Sequence, residues 1–111
     1  MSQLTFVMNR YDENGYPVFE LPYVEWAAVL HSESLHTRIV ESQIGKLVIE
    51  VAGHKISFLD EMAGLSIEIE SEDMPDELVR SVMEEIKTNV ERATGDSYQL
   101  VELPTDRPYR F

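Results

Sequence analysis

From Leu78 to Ala93 the apolar residues Leu78, Val79, Val82, Met83, Ile86, Val90 and Ala93 recur at helical spacing, while most apolar segments on either side alternate with a period of two. One amphipathic helix among several half-buried strands leaves few architectures. The helix must lay its stripe on a sheet, and the sheet must offer one apolar face to receive it. The expected fold is α+β, an antiparallel sheet of about five or six strands with one long C-terminal-half helix on one face. A length of 111 residues suits one domain spanning 1–111, large enough for a core without disulfides or a structural metal.

The strands are read from alternation. Leu4 to Arg10 sets Leu4, Phe6 and Met8 against Thr5, Val7 and Asn9. Asn14-Gly15 supplies a tight turn into Tyr16 to Leu21, where Pro17 marks a sheet edge. Tyr23 to Leu30 is assigned a short helix, because Pro22 suits a helix start and Ala27-Ala28 its interior; its length and apolarity also fit a strand. Thr37 to Ser42 and Lys46 to Val51 are strands, with Leu47, Ile49 and Val51 on one face, and Ala52-Gly53-His54 is a turn that leaves His54 exposed. Ile56 and Phe58 continue the inward face. After a turn near Met62-Ala63-Gly64, Leu65 to Glu70 sends Leu65, Ile67 and Ile69 inward and Ser66, Glu68, Glu70 and then Glu72 outward.

Helix boundaries come from capping chemistry. Asp73 is the expected N-cap, Pro75 fits the first turn, Asp76 and Glu77 complement the positive end of the helix dipole, and Gly95 stops the helix. Arg80, Glu84, Lys87 and Glu91 form its outer face. Tyr98 to Leu103 is a last strand, followed by a Pro-interrupted basic tail, Pro104 to Phe111.

Composition excludes several classes of function. The absence of cysteine removes thiolate nucleophiles, iron–sulfur clusters and Cys-based zinc sites. Nine Lys and Arg against 21 Asp and Glu leave a net charge of −12, a field that repels nucleic acid and anionic membranes and attracts basic proteins. No secretory leader or bilayer-length apolar run is apparent, so a cytoplasmic protein is expected.

Catalytic patterns do not assemble. Gly64-Leu65-Ser66-Ile67-Glu68 has only the first glycine of a nucleophile elbow, and five scattered glycines build no phosphate loop. His31, Glu33 and His36 are close in sequence, but their spacing matches no metal-ligand pattern. Asp60, Glu61, Asp73 and Asp76 lack the order of a calcium loop. No catalytic residue, metal or cofactor is therefore assigned.

What remains is acidity. Asp60 to Glu77 holds eight acids, with no Lys or Arg among them. Solvation and helix capping explain many of these acids one by one. The functional reading is that Glu68, Glu70 and Glu72, at about 6.6 Å intervals along a strand, imitate the spacing of nucleic-acid phosphates. Asp60 and Glu61 would extend that surface, with Tyr16 and Tyr23 as aromatic anchors; Trp26 is assigned to the core. The expected function is a small acidic binding protein, an immunity protein or antitoxin of a bacterial cytoplasm that neutralises a basic toxic enzyme such as a nuclease. The alternatives are a small-molecule site using His31, Glu33 and His36, or a structural homodimer joined along the Tyr16 to Leu21 edge and the tail aromatics Tyr109 and Phe111.

Overall fold

A computed structural model describes residues 4–71 and 73–103. The elements in chain order are β1 (Leu4–Tyr11), β2 (Pro17–Val18), α1 (Tyr23–Val29), β3 (Arg38–Gln43), β4 (Lys46–Val51), β5 (His54–Glu61), β6 (Gly64–Ile69), α2 (Asp76–Thr94) and β7 (Gln99–Leu103). All strands join one antiparallel sheet. Its order is β2-β1-β6-β5-β4-β3, with β7 also paired to β1. The expected α+β architecture is the one observed.

The meander β3 to β6 follows directly from the turns. Between β4 and β5, Ala52 and Gly53 both take positive φ (51° and 84°), the conformation a tight hairpin needs to match strand twist. Gly45 does the same work between β3 and β4 at φ 78°. From β6 the chain crosses through α2 to β7, and β1 separates the two. Both strands run antiparallel to β1, so they are parallel to each other, and only a long crossover such as a helix can connect them.

The core lies between the sheet and the helices. Leu47 sits opposite Phe58 and Phe58 opposite Ile67, while Ile49, Ile56 and Ile69 form a second row. Val79, Val82, Met83, Ile86 and Val90 of α2 and Trp26 of α1 close over them. Leu78 is half-buried, and Ala93, expected in the stripe, is exposed where α2 borders an open cleft beside α1. No helix among the described residues is long and apolar enough to cross a membrane.

Three local expectations change. The hairpin partner Tyr16 to Leu21 shrinks to β2, because Phe19 leaves the ladder to meet Trp26 and Tyr98 edge-on, at centroid distances of 6.1 and 5.6 Å, and Leu21 is buried. Asp73 does not cap α2: Pro75 occupies the N-cap with no side-chain cap bond, and the Asp73 carboxylate accepts from Ser71 Oγ at 2.5 Å. That bond holds Asp73 below its ordinary pKa, with nearby His54 adding to the effect. His54 is not an exposed turn residue. It opens β5, is half-buried, and its Nδ1 lies 2.7 Å from Ser71 Oγ. Because the Ser71 hydrogen goes to Asp73, His54 Nδ1–H is the donor in that pair.

The end of α2 is tied to β7 by Glu91, whose carboxylate accepts from Tyr98 N–H at 2.8 Å and from Lys87 Nζ at 2.9 Å. The backbone bond, then Lys87, depresses the Glu91 pKa below its ordinary 4.5. A depressed carboxylate pKa stabilises the fold above the unfolded value, and that contribution is lost as pH falls through the folded one. Glu91→Gln is therefore expected to lower Tm by about 5 °C at neutral pH. The deficit should narrow below pH 4, as measured by thermal melts across pH.

Candidate docking surface

Antiparallel connectivity gathers the β3–β4 turn, the β5–β6 turn and the β1–β2 hairpin at one end of the sheet. Two of these are stitched together, since Asp60 N–H donates to Gly45 O at 3.0 Å. The start of α1 sits on the same spot. A Cβ built on Gly45 would stand 4.0 Å from the Tyr23 ring and 3.8 Å from Asp60 Cβ, so Tyr23 rests directly over the turn.

Tyr23 is held from two sides. Its ring meets Trp26 edge-on at 5.4 Å, and Trp26 is fixed in the core by an indole hydrogen bond to Leu21 O at 3.0 Å. Its phenol donates to the Asp60 carboxylate. That hydrogen bond, helped by desolvation and the Asp60 charge, raises the phenol pKa above its ordinary 10.0. Ionisation would set a phenolate against a carboxylate, so stability contributed by the pair persists below pH 10 and is lost as pH rises through the folded value. In an ultraviolet titration, Asp60→Asn is expected to bring one tyrosine back toward pH 10, and Tyr23→Phe to remove that transition.

Around this anchor stand apolar side chains with little protein to touch. Met62 at the β5–β6 turn is 97% exposed, Val24 at the start of α1 is 89% exposed and Ile44 at the β3–β4 turn is 86% exposed, the three highest values among the large hydrophobics described. Turn tips are ordinarily Gly, Pro, Asn, Asp or Ser, for backbone reasons. Ile44 and Met62 meet no such requirement. Tyr11 and Tyr16 add exposed aromatic area on the hairpin at the same end. There the Asp12 carboxylate accepts from Asn14 N–H and Tyr16 N–H, both at 2.9 Å, and shapes the turn.

The rim is acidic. Asp60, Glu61 and Glu25 are exposed, and none pairs with Lys or Arg among the described residues. Two cations that flank these turns in sequence are already engaged, Lys46 with Glu41 at 3.6 Å and Arg10 with Glu20 and Asp96.

Two carboxylates of the ladder expected on β6, Glu68 and Glu70, share one face of the sheet. Glu68 faces the side of the sheet away from the helices, in register between Thr5 and Ser57, and is half-buried. β6 ends at Ile69, but Glu70 keeps its register: its N–H donates to Lys55 O, and its exposed side chain lies on the face of Glu68, where its carboxylate accepts from the buried Ser57 hydroxyl. Glu72 lies outside the described residues, as do Tyr109 and Phe111. The six described residues of the expected surface are thus split. Asp60, Glu61, Tyr16 and Tyr23 belong to the turn end, Asp60 and Tyr23 in direct contact, whereas Glu68 and Glu70 lie on the open sheet face.

His31 and Glu33 line an open cleft of about 420 Å³ between α1 and α2 with Glu85, Asn89 and Arg92. Asn89 Nδ2 donates to His31 O at 2.9 Å, and Ser34 Oγ donates to Glu85 at 2.6 Å, which keeps the Glu85 carboxyl below its ordinary range. His36 does not line this cleft; it is exposed at φ 56°. No group of three metal-ligating side chains converges among the described residues.

Ile44, Met62 and Val24 escaped the sequence reading, which followed charge. For Ile44 and Met62 the signal was present as a large apolar residue in a turn that carries a glycine; Val24, within α1, left no such signal. No protein-family model, curated protein or solved structure matches the chain.

Proposed function

We propose that this chain is a small acidic binding protein of the bacterial cytoplasm that holds a basic protein partner against the turn end of its sheet. The class of protein is an immunity protein or antitoxin, and the partner is a toxic enzyme such as a nuclease. One observation carries the reading: among the described residues, the most exposed large apolar side chains, from three separate segments, share one end of the molecule and are rimmed by acids without basic partners. Exposed singly, such residues need no explanation, but gathered around an anchored tyrosine they have the make-up of an interface centre.

The division of labour follows from magnitudes. Burying a side chain such as Ile44 or Met62 contributes about 1.5–3 kcal/mol, which sets residence time. Asp60, Glu61 and Glu25, with the net charge of −12, act at longer range and accelerate encounter with a basic surface. Phosphate mimicry by Glu68 and Glu70 has less support, because one is half-buried and the other is bonded by Ser57.

The test is site-specific photo-crosslinking in the native host. A photoreactive residue at position 62 or 44 is expected to capture one basic protein that the same residue at position 81, on the exposed outer side of α2, does not. Identical capture from all three positions, or an acidic partner, contradicts the reading.

A further inference from the structure

Apart from the two-residue β2, which carries Pro17, two strands keep an unpaired edge among the described residues, β3 and β7. Proteins guard such edges, since an open row of N–H and C=O groups recruits other strands. β3 is guarded: its register is broken by a bulge between Ile39 and Glu41, and Arg38 reaches across to Glu50. β7 is not. Gln99 to Leu103 pair with β1 without a register break, and the strand contains no Pro, Lys or Arg.

Beside this edge a groove of about 420 Å³ runs between α2 and the strands β1 and β7, its apolar lining including Phe6, Met83 and Leu100. Asp76, Glu84 and Glu102 line it as well, with Arg80 its one cation. Pairing with Met8 and Phe6 turns Leu100 and Glu102 toward the helices, whereas Val101 and Leu103 face the open side and are partly exposed. A strand laid along β7 would meet carboxylates on one of its faces and apolar side chains on the other.

We propose that the β7 edge and its groove take an extended segment of a partner protein in which Lys or Arg alternates with apolar residues, added to the sheet as a further strand. Main-chain bonds to β7 hold the segment, its cations lie toward Glu102, Glu84 and Asp76, and its apolar side chains cover Val101 and Leu103. A second copy of this chain fits less well, because it would set Glu102 and the −12 charge of each molecule against their like. The site is separate from the turn end, so either can fail without the other.

The probe is a labelled peptide of alternating lysine and valine, compared with a proline-interrupted peptide of equal charge. Fluorescence anisotropy is expected to give about tenfold weaker binding for the interrupted peptide, and for the alternating peptide on Val101→Lys or Glu102→Lys. Amide shifts in nuclear magnetic resonance spectra should centre on Gln99 to Leu103. Equal affinity for both peptides reduces the contact to bulk charge and overturns the proposal. Tighter capture by a chain ending at Leu103, or a dimer that dissociates on Val101→Lys, also overturns it, since the edge then belongs to the chain's own segment or to a second copy.

Discussion

Gly64→Ala is expected to cost on the order of 4 kcal/mol and to detach β1 from β6. Gly64 opens β6 at φ 126°, where an L side chain is strained, and a Cβ there would stand 2.6 Å from Met8 O and 2.7 Å from Asn9 Cβ. The obstruction is the neighbouring strand itself, and it cannot rotate away. Asn9 is further clamped, since its Nδ2 donates to Ala63 O at 2.6 Å and its Oδ1 accepts from Gln99 Nε2 at 2.8 Å. Small domains hold only about 5–15 kcal/mol of stability, so the loss should appear as a large fall in the urea midpoint. Gly53→Ala is the control: φ is 84°, but nothing lies within 4 Å, so only backbone strain of about 1–2 kcal/mol is incurred. Equal losses at the two positions would show that the close β1–β6 approach contributes nothing.

The double substitution Ile44→Asp with Met62→Asp is expected to weaken partner binding by roughly 10²–10³-fold. Each change removes the burial of one apolar side chain and asks the interface to desolvate a carboxylate. Both residues are almost fully exposed in the free chain, so stability should change by less than about 1 kcal/mol. Retained stability with lost affinity distinguishes a docking residue from a fold residue. A loss of stability as large as that of Gly64→Ala would place these side chains in the fold instead.

Periodicity was the strongest guide to the architecture. It placed α2, the β3 to β6 meander and β1, because each has one buried face and a hydrophobic pattern records such a face directly. Tyr23 to Val29 formed the short helix that Pro22 and the alanine pair indicated. β2 was overestimated, since Phe19 serves aromatic packing from distant parts of the chain, and no local pattern records that. Asp73 matched a capping motif but found Ser71 instead. At the candidate surface, Asp60, Glu61, Tyr16 and Tyr23 were legible as charge and aromaticity. The Tyr23–Asp60 contact joins residues 37 positions apart, and which turns share one end is a property of the pairing order. Ile44 and Met62 were legible only as exceptions to turn chemistry, and Val24, within α1, was not legible.

On the proposed function the turn end, and not the open sheet face, meets the partner. Titration calorimetry with the protein captured through position 62 tests it on three chains side by side: the unmodified protein, Ile44→Asp/Met62→Asp and Glu68→Gln/Glu70→Gln. The expected result is a loss of at least about a hundredfold for the first variant and a change below about threefold for the second. A partner that tolerates the turn-end pair but is lost with Glu68 and Glu70 would contradict it and return the interface to the carboxylates of the sheet face.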